Sequence, residues 1–585
     1  MNLYQLLDKF RIDLLQVSLP SFRPELAICI TIVLMLLVRM PVFGRKINSF
    51  WIALPGSLIA LWLSAPWSHL DPTYMAAHDI TAKGGREIFD GLLIYDGLTV
   101  YFRAILMLFA VLFLVFTKLS GIPDREDSPD FYTLVLGGLL GMCIMASANH
   151  LLTVFLGVEM ASVPSYALAG ILKGRRKSGE AALKYAVYGA GAAGVMLYGI
   201  SLLAGALGTV HLPTMAAQLA ALSPEDFADR RLVLMLGSLM LSVGLAFKLS
   251  AVPFHFWAPD VFEGACAEVN AFLSVASKAA ALALLVRVAI GLSHIPAGEL
   301  PPKVDTPKPV PAIAEVRADS KFHLVAAAVP HAADDHAPKA ESLGTQDAVA
   351  ENHSANLVAA RKFAAGLVAL LAAITCTFGN LAAYGQTNIK RLLAYSTIAH
   401  AGYMMMPVAA AVTLSAKDPK GAEAAVAALC FYVATYVFMN LGAFAIVAFL
   451  RNQIRSEEIA DYAGLIKRSP GIVICFSIVL ISLVGLPPLA GFAAKLLAFA
   501  ALTQAEMYLL LLIGCVNSAI SLFYYIRVIK TMAIDPEPAD RVPVSFSMLS
   551  AGGIYVVLVT LPVVTLGLFW DTLNVWAEAA AAQLF

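Results

Sequence analysis

Apolar residues fall into long runs along this chain, and short polar segments separate the runs. A run of about 20 apolar residues is long enough to cross the ~30 Å hydrocarbon core of a bilayer as an α-helix. The pattern predicts an all-α polytopic membrane protein with about fourteen transmembrane helices. The predicted spans are 24–43, 50–68, 97–117, 131–149, 150–172, 180–207, 232–254, 265–294, 357–383, 390–414, 424–450, 471–501, 506–532 and 546–570.

Two of these spans contain prolines that should break the helix. The seventh span carries Pro253 near its end, with Pro259 just after it, and the twelfth carries Pro487 and Pro488. Proline removes a backbone donor and clashes with the preceding turn, so both spans should be discontinuous. Because the two broken spans are five apart, they cross the membrane in opposite directions and predict two inverted repeats of five helices. Two purely structural kinks are the alternative interpretation.

These patterns divide the chain into five predicted parts. Transmembrane helices 1–3 occupy residues 1–130, the first five-helix repeat 131–295, and the second repeat 357–532, followed by the last helix and tail in 533–585. Between the repeats, residues 296–356 are rich in Pro, Ala, Asp, Lys and His and show no sustained periodicity. We predict a disordered insertion on the outer face. The spacing of its histidines matches no standard metal site.

Composition and charge narrow the class of protein. Of 585 residues, 59% are hydrophobic and only 14% are charged, which excludes an ordinary soluble protein of this length. The 40 basic and 40 acidic residues balance, so charge gives no argument for a nucleic-acid partner. None of the seven cysteines forms a C-x-x-C pair, which gives no support for an iron–sulfur or zinc site.

The distribution of Lys and Arg predicts the orientation. Loops that connect an odd-numbered span to the next even-numbered span carry about twice as many basic residues as the loops and termini on the other side. The positive-inside rule makes the rich side cytoplasmic. Both termini are therefore predicted to lie on the periplasmic side.

Ionisable residues inside the predicted spans are the main functional signal. Glu159, Lys248, Lys278 and Lys495 lie deepest, and each charge near the bilayer centre costs about 2.5–3.5 kcal/mol. A carboxylate near Lys248 would hold both groups ionised, and loss of that partner would release the lysine proton. We predict a proton relay with Glu159 and Lys248 as its switching pair. A structural salt bridge is the alternative.

Two further residues have weaker support as relay members. Lys184 lies close to the basic loop and could simply extend its side chain to the membrane surface. His400 could extend the relay, because free imidazole titrates near neutrality, but it is nearly as well explained as a helix-packing histidine. One apparent cofactor motif is dismissed: Gly189, Gly191 and Gly194 match G-x-G-x-x-G inside an apolar span without a preceding strand, which indicates helix packing and not a cofactor site.

Three segments resemble a known family. The stretches 248–264, 379–403 and 485–495 are similar to signature segments of the antiporter-like subunits of respiratory NADH:quinone oxidoreductase (complex I). Glu180-Ala-Ala-Leu-Lys184-Tyr185 and the lysine at 495 resemble the N-subunit group, called subunit 2 in mitochondria. The resemblance covers roughly residues 90–530, and the insertion at 296–356 departs from it.

The resemblance implies a proton-translocating subunit without a redox centre or bound cofactor. Flavin, iron–sulfur clusters, NADH and quinone would belong to partner subunits, and the neighbours would be other antiporter-like and small membrane subunits in a bacterial inner membrane. It also implies that Glu159 and Lys248 form the switching pair, that Lys278 links the halves, and that Lys495 exchanges protons with the outer side or the neighbouring subunit. Two alternatives remain: a subunit of a multisubunit cation/proton antiporter, and a non-transporting membrane scaffold. Co-purifying subunits that bear flavin would exclude the antiporter. Loss of pumping when the buried charges are neutralised would exclude the scaffold.

Overall fold

The computed structural model describes residues 8, 11–39, 48–71, 85–123, 127–295, 355–539, 541 and 544–585. Most of the insertion predicted at 296–356 lies outside these residues, as do residues 40–43 at the end of the first predicted span. Residues 355 and 356, predicted to belong to the insertion, begin a helix instead.

Three long helices precede the first repeat: α1 (Arg23–Val38), α2 (Phe50–Ser64) and α3 (Gly97–Ser120). A bend of 81° separates α1 from the helical segment Asp13–Ser21. The one-turn helix Trp67–Leu70 follows α2, and a short antiparallel hairpin of β1 (Arg86–Ile88) and β2 (Leu93–Tyr95) precedes α3. Asp96 caps α3, because its carboxylate accepts a hydrogen bond from the Thr99 amide.

The first repeat begins with α4 (Ser128–Ser147), α5 (Leu151–Ala169) and α6 (Arg176–Leu207), followed by the surface helix Leu212–Ala221. The broken seventh span then consists of α7 (Pro224–Leu249) and α8 (Trp257–Gly264). Ser250, with a φ of 55°, ends α7, and the residues up to the start of α8 include Pro253. The eighth span consists of α9 (Ala267–Ser274) and α10 (Ala276–Gly291).

The second repeat contains α11 (Ala355–Ala383), α12 (Ile389–Leu414) and α13 (Pro419–Ile454). Two 3-10 turns, Ile459–Tyr462 and Leu465–Lys467, lead to α14 (Pro470–Val484). After the break at 485–489 come α15 (Ala490–Gln504) and α16 (Tyr508–Ala533), and the chain closes with α17 (Ala551–Leu568) and α18 (Asp571–Ala581). Gly485 adopts a φ of 87°, a conformation that glycine tolerates best, at the point where α14 ends.

The predicted spans agree with this architecture. Twelve helices of the described chain are long and apolar enough to cross a membrane, and the bent pair at 13–38 makes a thirteenth. The predicted twelfth span appears as the two shorter apolar helices α14 and α15. The all-α polytopic fold and both helix breaks are therefore confirmed.

The two repeats use matching contacts. In the first, α4 packs on α5 and α5 on α6, while α6 packs on both α7 and α8. In the second, α11 packs on α12 and α12 on α13, while α13 packs on both α14 and α15. The helices α10, α12 and α13 are almost completely buried and form the centre of the molecule, where the two repeats meet.

The connections between spans segregate onto two faces. On the face that carries the chain's C-terminal end, Gly97 donates to Gln583, His150 bridges to His211, and Phe585 packs on His294. His211 lies in an even-to-odd connection, Gly97, His150 and His294 lie at span ends that border such connections, and Gln583 and Phe585 belong to the tail. On the opposite face Lys173 pairs with Asp127, and Lys177 with Glu263.

Four features were not predicted. They are the β-hairpin, the surface helix Leu212–Ala221, the terminal helix α18 and the interruption at Val275 in the eighth span. The glycine motif at 189–194 is helical, as predicted. Gly189 lies against the Tyr166 ring, whereas Gly191 and Gly194 face open space, so only the first glycine serves packing within the described chain.

Candidate functional site: ionisable side chains in the core

Lys248 lies at the end of α7, where the helix break begins, and only 2% of the residue is exposed. Its Nζ has no hydrogen-bond partner within the described part of the chain. Glu159, on α5, is half-buried, and its Oε1 also lacks a partner among the described residues. The two groups influence each other electrostatically without forming an ion pair within 4.0 Å. The predicted pair is thus brought together but not closed into a contact salt bridge.

Lys278 lies on α10, three residues after the interruption at Val275, and is 1% exposed. Its Nζ donates to the Thr397 carbonyl of α12 at 2.8 Å. This bond joins the last helix of the first repeat to the second helix of the second repeat. Lys278 therefore lies at the junction of the two repeats.

His400 lies one turn after Thr397 on α12 and is 2% exposed. Its Nδ1 lies 2.9 Å from the Tyr432 hydroxyl, and its Nε2 lies 3.5 Å from the Tyr525 hydroxyl. The two lysines that act on it electrostatically are Lys495 and Lys278. His400 is therefore within electrostatic range of both lysines and has a tyrosine hydroxyl near each ring nitrogen.

Lys495 lies on α15, just after the second helix break, and is 4% exposed. Its Nζ donates to the Val484 carbonyl at 2.7 Å and to the Ser518 hydroxyl at 3.0 Å. It also lies 4.4 Å from the centre of the Tyr403 ring. Val484 is the last residue of α14, so the break supplies a carbonyl that is free to bind the lysine.

Lys248, Lys278, His400 and Lys495 form a set of buried ionisable groups. Each of the three lysines is at or beside a helix interruption, and Lys278 and Lys495 both act electrostatically on His400. The Tyr432 and Tyr525 hydroxyls lie near the histidine, and the Tyr525 hydroxyl is in turn hydrogen-bonded to that of Ser396. Side chains that both donate and accept protons can support transfer between neighbouring bases.

Lys184 does not belong to this buried set. Its side chain is 37% exposed, and its Nζ pairs with Asp260 at 2.7 Å and with Glu180 at 2.8 Å. Asp260 also pairs with Arg391 of α12 at 3.0 Å. Lys184 therefore takes part in an ion-pair network on the basic face.

Sequence reasoning missed a second group of buried charges toward the same face. Glu268 on α9 is fully buried and pairs with Arg451 of α13 at 3.1 Å. Lys390 on α12 is 3% exposed and donates to the carbonyls of Glu263 and Ala265 at 2.9 and 2.8 Å. Its Nζ also pairs with Glu457 at 2.8 Å. Glu268 lies inside the predicted eighth span, so a search for acidic residues within spans would have found it.

Two more buried ion pairs involve the first three helices: one joins the start of α3 to α10, and the other joins α3 to α1. Arg287 on α10 binds Asp96 with two hydrogen bonds of 2.5 Å, and Arg103 on α3 pairs with Glu25 on α1 at 2.7 Å. All four residues are at most 6% exposed. Arginine hardly gives up its proton, so these pairs are better suited to holding helices together than to carrying protons.

Comparison with known proteins agrees with this architecture. Residues 148–297 and 352–521 match the family model described as NADH:quinone oxidoreductase/Mrp antiporter, TM. The chain is 35% identical over 577 residues to NADH-quinone oxidoreductase subunit N of an Anaeromyxobacter species, covering 96% of each chain. It is 36% identical over 511 residues to subunit N 2 of Sorangium cellulosum, covering 85% of this chain and 86% of that one.

Solved structures show the same fold. A chain of respiratory complex I from Thermus thermophilus, with bound aureothin, superposes with a TM-score of 0.64 at 28% identity, covering 94% of this chain and 97% of that one. A chain of the Mrp complex from a Dietzia species reaches 0.70 at 16% identity, covering 97% and 98%, which supports the fold alone. The protein therefore belongs to the NADH:quinone oxidoreductase/Mrp antiporter family, and within it to the subunit N group.

Proposed function

We propose that this chain translocates protons as a membrane subunit of NADH:quinone oxidoreductase, through a relay formed by Glu159, Lys248, Lys278, His400 and Lys495. The chain holds no redox centre in this proposal. NADH oxidation and quinone reduction take place in partner subunits that contain flavin and iron–sulfur clusters. The complex lies in a bacterial inner membrane, with both termini of this chain on the periplasmic side.

The observation that carries the proposal is the set of three buried lysines beside helix breaks. Lys248 has no hydrogen-bond partner within the described chain, while Lys278 and Lys495 bind carbonyl or hydroxyl oxygens and not carboxylates. A structural salt bridge would instead place a carboxylate in contact with each lysine, as Glu457 is with Lys390. Lysines without a carboxylate contact can lose a proton more readily than paired ones.

Glu159 would act as the switch. Its carboxylate is near enough to Lys248 to favour the charged lysine, yet it is not locked to it by a contact ion pair. A small displacement of α5 relative to α7 would change the attraction between the two charges and therefore the proton affinity of Lys248. Interactions in the oxidoreductase that move these helices would thereby load or release a proton.

The antiporter alternative is weaker for this chain. The likeness to an Mrp chain at 16% identity supports a shared fold, whereas relatives at 35 and 36% identity over most of the chain carry the name of an oxidoreductase subunit. Purification of the native complex with gentle detergent distinguishes the two. Co-purifying subunits with flavin and iron–sulfur absorbance would agree with the oxidoreductase, and their absence would favour the antiporter.

The relay is tested with Lys248→Arg and Lys278→Ala in the complete complex, reconstituted into sealed vesicles. NADH oxidation and proton uptake are measured together. We expect both variants to assemble and to pump less than the wild type, because arginine keeps the charge of Lys248 but hardly releases its proton.

Lys184→Arg is the control. Arginine retains the positive charge in the exposed ion-pair network, so this variant complex should pump normally. A Lys248→Arg complex that pumps at the wild-type rate would exclude protonation of Lys248 from the cycle. Normal pumping by alanine variants at 159, 248, 278 and 495 would leave only the scaffold interpretation.

A further inference from the structure

The ammonium group of Lys495 lies against the face of an aromatic ring. Its Nζ is 4.4 Å from the centre of the Tyr403 ring, within the ~6 Å range of cation–π attraction. Tyr403 is 1% exposed and Lys495 is 4% exposed, so the contact is buried. No carboxylate of the described chain lies within 4.0 Å of this Nζ. In the part of the chain that the structure describes, Lys495 is the only relay lysine over an aromatic ring.

Two glycines bring α11 and α12 close together behind this ring. A Cβ atom on Gly379 would lie 2.6 Å from a backbone nitrogen of α12, and a Cβ atom on Gly402 would lie 2.5 Å from a backbone nitrogen of α11. Residues without a side chain allow helix backbones to approach this closely. The side chain of Asn380, which follows the first glycine and is fully buried, therefore reaches Tyr403.

Asn380 holds the hydroxyl end of the ring. Its Nδ2 donates to the Tyr403 hydroxyl at 3.2 Å, and its Oδ1 accepts from the Tyr524 hydroxyl of α16 at 3.0 Å. The Oδ1 of Asn517, also on α16, lies 3.4 Å from the same Nδ2. These four side chains belong to residues that are at most 3% exposed. The ring is therefore fixed by two neighbouring helices while its face stays against Lys495.

The face of an aromatic ring carries negative potential, which attracts an ammonium group and not a neutral amine. We propose that the ring face of Tyr403 stabilises the protonated form of Lys495 and that Asn380 positions the ring. The inference rests on the relay proposed above. Tyr403 acts through Lys495, and Asn380 acts through Tyr403, so both are positioning residues. A desolvated contact of this kind changes a proton-binding equilibrium by about thirtyfold.

Other ionisable groups lie near this contact and have to be separated from it. They are Cys376 of α11, His400 of α12, Tyr432 of α13 and Tyr524 of α16. Cys376 acts on Lys495 directly, and a thiolate would also favour the charged lysine. The thiol is therefore the alternative source of stabilisation, and the test includes it.

A series of fluorinated rings tests the proposal in the intact complex, reconstituted into sealed vesicles. Position 403 is occupied in turn by phenylalanine and by its mono-, di- and trifluoro derivatives, which are introduced at an amber codon. Fluorine withdraws electron density from the ring face and changes the size of the side chain little. The attraction to a cation therefore falls stepwise while the packing is kept. The ratio of pumped protons to NADH oxidised is measured as a function of pH.

Weakening the ring should move the loss of pumping at high pH to lower pH, because Lys495 then needs a higher proton concentration to become charged. We expect a further shift with each added fluorine, up to about 1.5 pH units, and the full shift in Tyr403→Leu. Tyr403→Phe and Asn380→Leu both remove the bond that positions the ring. Each should therefore shift less than Tyr403→Leu, and the two together should shift no further than either alone.

Tyr101→Leu is the matched control. Tyr101 is 2% exposed, and its hydroxyl donates to the Cys430 carbonyl at 3.0 Å, so its loss removes a buried ring and one hydrogen bond away from the relay. This variant should keep the pH dependence of the wild type.

A pH dependence that stays the same across the fluorinated series would overturn the proposal. So would an equal shift in Tyr101→Leu, or a shift in Cys376→Ala with none in the fluorinated series, which would assign the stabilisation to the thiol. Lys495→Met separates this inference from the proposed function. Normal pumping by Lys495→Met would refute the relay and the inference with it, whereas loss of pumping together with an unchanged fluorinated series would refute the inference alone.

Discussion

Replacement of Lys248 by methionine separates a proton carrier from a structural charge. Methionine is unbranched and fills irregular apolar space, so Lys248→Met removes the ammonium group with little change in packing. Lys390→Met is the matched control, because both lysines are almost fully buried. The two differ in their partners: Lys390 binds two carbonyls and one carboxylate, and Lys248 binds none within the described chain.

The structure gives the size of both effects. An unpaired lysine near the bilayer centre costs about 2.5–3.5 kcal/mol, and methionine relieves that cost. The attraction to Glu159 is lost at the same time, but without a contact within 4.0 Å it is below about 4 kcal/mol. Lys248→Met should therefore lower the free energy of unfolding by at most about 1.5 kcal/mol, and it raises that free energy by up to about 3.5 kcal/mol if the attraction to Glu159 is weak. Lys390→Met leaves Glu457 unpaired, and loss of one partner from a buried ion pair costs about 3–5 kcal/mol.

The assay compares both variants in the purified complex. Thermal inactivation is followed by the loss of NADH:quinone reductase activity, and proton uptake into vesicles is measured at a temperature at which all forms are stable. We expect Lys248→Met to lose little or no heat stability but to be deficient in pumping. Lys390→Met should be the less heat-stable variant and should keep its ratio of pumped protons to NADH oxidised.

Two results would refute this reasoning. A Lys248→Met complex that loses stability as Lys390→Met does would mean that Lys248 has a structural partner outside the described contacts. A heat-stable Lys248→Met complex with a normal pumping ratio would mean that the lysine carries no proton.

Further predictions concern Lys495, the orientation, the insertion and the hairpin. Lys495→Met loses the hydrogen bonds to Val484 and Ser518, so it should lower the free energy of unfolding by about 1–3 kcal/mol. It should also reduce proton pumping, and the same two assays measure both effects. Cysteines placed at 176 and 340 should differ in labelling by an impermeant reagent in intact cells, with 340 labelled and 176 protected. Replacement of residues 305–350 by a short flexible linker should leave assembly and pumping unchanged, as native electrophoresis and vesicle assays would report. The hydrogen bond from His211 lowers the pKa of Glu87 in the folded protein below its usual value of 4.5. The stabilisation from this bond is therefore fully present above pH 4.5 and is lost as the pH falls through the lowered pKa of the folded protein. Glu87→Gln should therefore cost less than about 1 kcal/mol at neutral pH, and the difference in thermal stability should vanish in acid.

The fold was largely predictable because the bilayer restricts a chain of this composition to helices of known length. Runs of apolar residues marked the spans, and Pro253 and Pro487 marked two breaks. The interruption at Val275 was not predictable, because no proline or glycine accompanies it. The hairpin 86–95 was missed because its two strands have three residues each, too few for a periodic pattern.

The candidate site was predictable as a list of residues but not as a geometry. Depth within an apolar run identified Glu159, Lys248, Lys278 and Lys495. It could not show that Lys278 binds a carbonyl of the other repeat, because that contact joins residues 119 positions apart. For the same reason the ion pair of Arg451 was not predicted: the sequence places Arg451 in a loop, whereas in the fold it pairs with buried Glu268.

The buried cations of this chain fall into two groups according to whether a carboxylate contacts them. Where a cation must hold helices together, the chain uses arginine or a fully bonded lysine against a carboxylate, as in Arg287 with Asp96 and Lys390 with Glu457. In the proposed relay it uses lysine and histidine against carbonyls and hydroxyls, or leaves the ammonium without a partner in the described chain, as at Lys248. Under the proposed function, the first arrangement keeps protons in place and the second leaves them free to move. A carboxylate introduced beside Lys278, as in Ser277→Asp, should therefore hold the lysine charged and slow pumping without preventing assembly, whereas Ser277→Asn should pump normally.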